Sequence, residues 1–273
     1  MDSDLLRLER LPTMWCEGCG IGIALKALLS ALSGRDKNKI VIVSGIGCAG
    51  RAASYINLDS IHTLHGRAIP VATGIKLANP DLNVIVFSGD GDLFSIGGNH
   101  LIHAARKNID ILVIAVNNNI YAMTGGQMAP TTPRGMITRT TPYGNVSGKF
   151  DIAEMLAAID VNYAARWTTF HVDSLVMSIK KCLDKEGFCY IEVVTQCPTV
   201  FGVLNNMPRG FQIMEWYKRN SISVEEARKM DKHLIEDKIV VGEFAENNRK
   251  GLTRVFQERI QMLRLTELGK KRG

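Results

Sequence analysis

The chain has 273 residues, 46% of them hydrophobic, with 33 Lys+Arg against 27 Asp+Glu and a net charge of +6. This composition excludes disordered, collagenous and mucin-like chains, and the length suits one large domain or two small ones with a sizeable core. No apolar run reaches the roughly 18 residues that span a bilayer. Met1–Arg10 lacks the basic and apolar stretches of a secretion signal. A cytoplasmic setting without membrane contact is therefore expected, in which the six cysteines serve as ligands, catalytic groups or core fillers rather than disulfides.

Short Ile- and Val-rich runs alternate with helical stretches. In chain order the pattern predicts a helix over Gly20–Leu32, strands Ile40–Ser44 and Ser60–Thr63, and a helix Ala68–Ala78. Strand Val84–Ser88, helix Gly97–Arg106 and strand Ile111–Asn117 follow. Helix Ile152–Ile159, strand Tyr163–Trp167, helix Leu175–Lys185 and strand Cys189–Thr195 complete the series. The strands read as buried on both faces, so the fold class is α/β: a mainly parallel sheet with helices on both faces, binding ligands beyond the carboxyl ends of its strands. Asn118–Lys149, rich in Gly, Pro and Thr, is too long to be a passive connection. The α/β domain is expected over residues 11–204 and a C-terminal extension over 205–273, with Asn205–Gly210 as linker. Ser223–Glu226 reads as a capping box opening a helix towards Lys232. Residues 209–273 hold 15 Lys+Arg and 10 Asp+Glu, which locates the basic excess in that extension and suggests a face for a partner subunit. Nucleic-acid binding is not expected, because these charges are interspersed with acids and only 7% of residues are aromatic.

Gly89-Asp90-Gly91 ends one strand, and Asn117-Asn118 ends the next after 25 intervening residues. Neighbouring strand ends meet across a crevice, where the Asp90 carboxylate and Asn118 carboxamide offer oxygens to a hard cation such as Mg²⁺, and the glycines admit a diphosphate. The arrangement resembles the thiamine-diphosphate motif. That likeness implies that Asp90 and Asn118 bind Mg²⁺ by side chain and Ile120 by its backbone carbonyl. A second glycine pattern, Gly45-Ile46-Gly47-Cys48-Ala49-Gly50, matches a dinucleotide fingerprint but lacks an acid at the end of the next strand. It reads instead as a loop presenting Cys48 to the crevice.

Cys16-Glu17-Gly18-Cys19 places two thiols at a helix start, where the helix dipole is expected to favour thiolates. Cys48 and Cys197 follow the first and last strands. Four such thiols suit either zinc or an iron–sulfur cluster, and a redox pair or buried filler cysteines remain open alternatives. Cys182 and Cys189 read as core or surface residues.

Taken together, Trp15-Cys16-x-Gly18-Cys19-Gly20, Ser44-Gly45-Ile46-Gly47-Cys48, His65-Gly66-Arg67, Gly89-Asp90-Gly91-Asp92, Asn117-Asn118, Thr124-Gly125-Gly126-Gln127, Pro130-Thr131-Thr132-Pro133 and Cys197-Pro198 resemble the β subunits of 2-oxoacid:ferredoxin oxidoreductases over residues 11–245, nearest the 2-oxoglutarate branch. The resemblance implies thiamine diphosphate, Mg²⁺ and a 4Fe–4S cluster on Cys16, Cys19, Cys48 and Cys197, with coenzyme A as co-substrate. Ile46, Gly47, Cys48, Ala49, His65, Gly66, Arg67, Gly89, Gly91, Asp92, Asn117, Ala122, Met123 and Thr124 would then line the thiamine cofactor, with His65 and Arg67 touching the reacting groups. The implied reaction is oxidative decarboxylation of 2-oxoglutarate to succinyl-CoA and CO₂, electrons passing through the cluster to ferredoxin. Pyruvate and branched-chain 2-oxoacids are the alternative substrates. The one departure noted is Glu17, where related chains often carry Pro. No stretch here is suited to supply the carboxylate that activates the pyrimidine, nor a ferredoxin-like run of cysteines. An α subunit and a ferredoxin, or ferredoxin-like subunit, are therefore expected partners.

Arg51 is a weaker candidate for holding a substrate carboxylate. His100 and His103 read as a helix face rather than a metal pair. Tyr121 and Met123 could pack against the cofactor, and Trp15 shields the cysteines or anchors the N-terminus. Two rival readings are a non-redox thiamine decarboxylase subunit, whose cysteines are structural or hold zinc, and a basic binding module whose glycine loops are only turns. Iron, sulfide and thiamine analysis separates them.

Overall fold

The computed structural model describes residues 3–270. Its strands are β1 (Ile40–Ser44), β2 (Asp59–His62), β3 (Asn83–Gly89), β4 (Leu112–Asn117), β5 (Ile120–Tyr121), β6 (Gln127–Met128), β7 (Tyr163–Thr168), β8 (Cys189–Val194), β9 (Ser221–Ser223) and β10 (Ile239–Glu246). The helices are α1 (Ile21–Leu32), α2 (Ala52–Tyr55), α3 (Ala68–Ala78), α4 (Gly98–Arg106), α5 (Ile152–Ala157), α6 (Val172–Leu183), α7 (Gly210–Asn220), α8 (Val224–Ala227), α9 (Lys232–Ile235) and α10 (Leu252–Lys270). Eight strands form one sheet in the order β2-β1-β3-β4-β8-β7-β10-β9. Neighbours from β2 to β7 are parallel, and β10 runs antiparallel to β7.

Alternation along the central strands divides the core between two faces. Ile42, Ile85, Phe87, Ile114 and Ile191 pack under α1, α2 and α6. Val43, Val84, Val86, Val113 and Tyr190 pack under α3, α4 and α5. Every residue of β1, β4 and β8 is buried, as two covered faces require. Strand β2 departs from the expected burial. It is mostly exposed because it is the sheet edge and hydrogen-bonds only to β1.

The C-terminal segment is also more integrated than its sequence suggests. β9 and β10 extend the same sheet, with a register shift between Glu243 and Ala245. The Ser223–Glu226 capping box forms, the Glu226 amide donating to Ser223 Oγ at 3.1 Å and the Ser223 amide to Glu226 Oε2 at 2.9 Å. The helix it opens ends at Ala227, well short of Lys232. Lys271 and Arg272, counted in the basic excess, lie outside the described residues, as do Met1 and Asp2 of the N-terminal reading. Among the described residues no helix is long and apolar enough to cross a membrane.

Strand order fixes where a ligand can enter. β2 and β3 lie on opposite sides of β1, so the connections after β1 and β3 diverge and leave a crevice at the carboxyl ends of the strands.

Candidate cofactor and metal site

The loops after β1, β3 and β4 close around a cavity of about 190 Å³. Of the expected lining residues, Ile46, Gly47, Cys48, Ala49, His65, Gly89, Asp90, Gly91, Asp92, Asn118, Ile120, Ala122, Met123 and Thr124 face it, joined by Val116 and Tyr121. Gly66, Arg67 and Asn117 do not line it. Arg67 is exposed at the start of α3, and the Asn117 carboxamide turns the other way, donating from Nδ2 to Glu192 Oε1 at 2.7 Å.

Asp90 is buried at the cavity wall. Its carboxylate accepts from Thr131 Oγ1 at 2.5 Å, the Gly91 amide at 2.9 Å and the Asn119 amide at 3.1 Å. Burial nevertheless pushes its pKa up to about 7, and the charged group acting on it is another acid, Glu192. A cation beside it would supply the missing countercharge. Asn119 adopts a left-handed conformation (φ 63°) that asparagine tolerates, which turns the chain at the strand end. The Ile120 amide donates to Asn118 Oδ1 at 3.3 Å within that turn. Asp90 and Asn118 thus share one wall with Ile120, and this donor set of hard oxygens fits Mg²⁺. Thr131 had no role assigned from sequence, although its position in the Pro130–Pro133 run marked the loop that folds back onto Asp90.

Asp92 has a different task. Its Oδ1 accepts from His65 Nδ1 at 2.6 Å, the Gly66 amide at 2.8 Å and the Ile46 amide at 3.1 Å, and its Oδ2 accepts from Ser88 Oγ at 2.8 Å. One buried carboxylate therefore joins the loops after β1, β2 and β3. The carboxylate partner favours the His65 tautomer protonated on Nδ1, leaving Nε2 as an acceptor. Glycine is required at 45 and at 66: a Cβ at Gly45 would lie 1.9 Å from Asp92 Oδ2, and Gly66 (φ 71°) would meet Ile96 Cγ2 at 2.6 Å.

Cys16, Cys19, Cys48 and Cys197 line a second cavity of about 190 Å³, together with Met14, Trp15, Arg51 and Pro198. The two cavities adjoin, sharing Cys48, Asn118, Ala122 and Met123. Trp15 Nε1 donates to the Cys48 carbonyl at 2.8 Å, and the Gly20 amide donates to the Gln196 carbonyl at 2.9 Å. These bonds tie the N-terminal turn to the two remote cysteines, so Trp15 is an anchor. At Cys19 the helix-start amide of Ile21 does act to lower the thiol pKa, but burial outweighs it. Burial pushes Cys19 up to about 12, reinforced by Cys197, Cys48 and Cys16, and pushes Cys48 up to about 11, reinforced by Cys197 and Cys16. Desolvation outweighs the helix dipole because Cys19 stands behind the turn rather than at its exposed tip. Arg51 borders this second cavity, not the first, and Cys182 and Cys189 are buried in the core.

Residues 41–193 match the family described as "Thiamine pyrophosphate enzyme, C-terminal TPP binding domain". The chain is 51% identical over 249 residues to 2-oxoglutarate synthase subunit KorB of Methanothermobacter marburgensis, covering 90% of this chain and 87% of that one. It is 46% identical over 261 residues to the subunit of the same name from Methanocaldococcus jannaschii, covering 95% and 97%. The chain belongs to the 2-oxoacid:ferredoxin oxidoreductase β-subunit family, on its 2-oxoglutarate branch. A solved structure titled as 2-oxoglutarate:ferredoxin oxidoreductase from Magnetococcus marinus, with 2-oxoglutarate, coenzyme A and succinyl-CoA bound, superposes with a TM-score of 0.82 at 32% identity, covering 93% of this chain and 88% of that one. The thiamine-domain match runs from β1 to β8 and so contains the first cavity, whereas Cys16, Cys19 and Cys197 fall outside it. The cysteine cavity is therefore an addition to a thiamine domain.

Proposed function

We propose that this chain is the thiamine-diphosphate- and cluster-binding subunit of a cytoplasmic enzyme that converts 2-oxoglutarate and coenzyme A to succinyl-CoA and CO₂ and passes the electrons to ferredoxin. Its carrying observation is the shared wall: a cavity with a hard-oxygen cation site adjoins a cavity lined by four thiols. When bound, thiamine diphosphate supplies the electron sink for decarboxylation, and a 4Fe–4S cluster supplies a one-electron acceptor beside it. Asp90, Asn118 and the Ile120 carbonyl would hold Mg²⁺. Gly91, whose Cβ would collide with the Tyr121 ring at 2.2 Å, lets that ring pack against the crevice wall where the diphosphate would lie. His65 Nε2, oriented through Asp92, can hold or accept a proton at the crevice. Cys16, Cys19, Cys48 and Cys197 would hold the cluster.

An α subunit would provide the pyrimidine-activating carboxylate, and ferredoxin or a ferredoxin-like subunit would take the electrons. The C-terminal extension offers basic surface to such partners. The test is anaerobic purification with the α subunit, followed by iron, acid-labile sulfide and thiamine analysis. Coenzyme A-dependent ferredoxin reduction is then assayed with 2-oxoglutarate, pyruvate and a branched-chain 2-oxoacid. Iron and sulfide near four per chain with 2-oxoglutarate preferred supports the reading. A colourless protein that still decarboxylates returns it to the non-redox alternative.

A further inference from the structure

Across one face of the sheet runs a buried polar ladder that the crevice does not explain. Arg166 on β7 and Glu192 on β8 are direct register partners, and Arg166 Nε donates to Glu192 Oε2 at 2.8 Å. The other oxygen, Oε1, accepts from Asn117 Nδ2 on β4 at 2.7 Å. Asn117 Oδ1 in turn accepts from the Asn119 amide at 3.0 Å, and that same N–H reaches Asp90 Oδ2 at 3.1 Å. Glu192 is 2% exposed, Asn117 5% and Arg166 7%. A buried ion pair is weak evidence of stabilisation, since apolar replacements often serve as well, so its retention in the middle of a sheet calls for a positional reason.

Hydrogen-bond polarity supplies one. A carboxylate only accepts, so Glu192 forces Asn117 to turn its NH₂ inward and its oxygen towards the turn. That oxygen is what the Asn119 amide needs to hold the left-handed kink, and the kink presents Asn118 and Ile120 beside Asp90. We propose that Glu192 is a positioning residue for the cation site, with Arg166 fixing Glu192 and Asn117 relaying its polarity to the turn; this rests on Asp90, Asn118 and Ile120 holding the cation as proposed above.

Changing Glu192 to Gln keeps the shape and reverses one polarity. Arg166 claims the remaining oxygen, the new NH₂ faces Asn117 Nδ2, and Asn117 must flip or lose its bond. If it flips, the Asn119 amide loses its acceptor on that side; if it stays, its NH₂ faces another donor and nothing fixes its orientation towards the turn. Changing Asn117 to Asp in the same protein restores the match, because Asp accepts on both sides and the charge of the ladder is conserved.

The test uses the complex with its partner subunits, stripped of divalent metal with EDTA and held oxidised with saturating thiamine diphosphate. Mn²⁺ is titrated in, and free aquo-Mn²⁺ is read by electron paramagnetic resonance. Loss of an outer-shell partner typically costs about 10–100-fold in metal affinity. E192Q is expected to raise the Mn²⁺ Kd by about tenfold or more, with iron content unchanged, and E192Q/N117D to recover most of the loss. Asp151→Asn, which loosens the outer end of Arg166 while keeping an oxygen for the Glu154 amide that it caps, is expected to leave the Kd within about twofold of the parent. An E192Q Kd within twofold of the parent, or no recovery in the double variant, overturns the proposal. So does equal weakening in D151N, since the effect would then track general stability. Should E192Q not fold, Asn117→Ala, which removes the acceptor from the Asn119 amide outright, must raise the Mn²⁺ Kd by a similar factor. A parent complex that binds no Mn²⁺ sinks the cation-site reading and this inference with it, whereas failure confined to the variants sinks this inference alone.

Discussion

Removing the Asp92 carboxylate is the sharpest perturbation of the crevice that leaves the cysteines untouched. In Asp92→Ala the Gly66 amide and the Ser88 hydroxyl, both buried, lose their acceptor, while the Ile46 amide and His65 Nδ1 sit close enough to solvent to find water. Each buried orphan costs roughly 1–3 kcal/mol. Space vacated by the side chain admits water, so the total should settle near the lower end, at about 3 kcal/mol. For a chain of this size that corresponds to a fall in Tm of about 6–12 °C, read by circular dichroism on the metal-free protein. Glu215→Gln, which breaks only an exposed ion pair with Arg219, should shift Tm by no more than about 1 °C and serves as control. Thiamine diphosphate binding should weaken as well, because three loops lose their common anchor. A Tm within 2 °C of the parent would mean that these loops are held by something other than Asp92, and the positioning argument for His65 would fall with it.

Gly91→Ala drives a methyl into the Tyr121 ring and should weaken thiamine diphosphate binding at least about tenfold; Tyr121→Ala in the same chain should recover part of that loss, measured by near-ultraviolet circular dichroism. Cys197→Ser should lower iron and acid-labile sulfide together and abolish ferredoxin reduction, while Mg²⁺-dependent thiamine diphosphate binding survives; loss of both would contradict the separation of the two cavities. The pH dependence follows from Asp90, whose folded pKa of about 7 stands above the usual carboxylate value near 3.9. A raised acid pKa means the folded state holds the proton longer, so stability of the metal-free protein should fall between about pH 4 and pH 7. Saturating Mg²⁺ with thiamine diphosphate should flatten that slope, and calorimetry in buffers of different ionisation enthalpy near pH 6.5 should detect proton release on binding.

Much of this was legible in the sequence. β1 and α3 begin and end where their apolar pattern does, because each has a single buried environment and a clear stop signal. The Gly-Asp-Gly and Asn-Asn runs located the crevice, since a chain that must turn at a strand end while offering oxygens has few residue choices. What escaped was set by neighbours remote in the chain. β2 reads as a buried strand and is an edge. β10 carries a Gly at φ 132° and a register shift, which blur its period-2 signal. Asn117 looks like a crevice residue until Glu192, 75 positions away, turns it inward. The Cys19 thiol responds to burial among three other cysteines, which no helix-start rule anticipates.

Electrostatics distinguishes the groups that hold the fold from those that hold ligands. Arg166 is buried yet compensated twice, by Glu192 and by Asp151 at 2.5 Å, and the pair drives its pKa further up against the cost of burial. Asp90 and the Cys19 and Cys48 thiols are held towards their neutral forms instead, each by burial and by further acidic groups. A stable core does not collect uncompensated acids, because every one weakens the folded state. Two adjoining cavities with this same imbalance share one physical remedy: a positively charged species in each. A divalent cation suits the hard oxygens of Asp90 and Asn118, and iron suits the soft sulfurs. Because Cys48 and Asn118 belong to both walls, charge gained in one cavity is felt in the other. Loading the cation site with Mg²⁺ alone should therefore shift the reduction potential of iron held in the cysteine cavity to a more positive value, and a potential indifferent to Mg²⁺ would show that the two cavities are electrostatically independent.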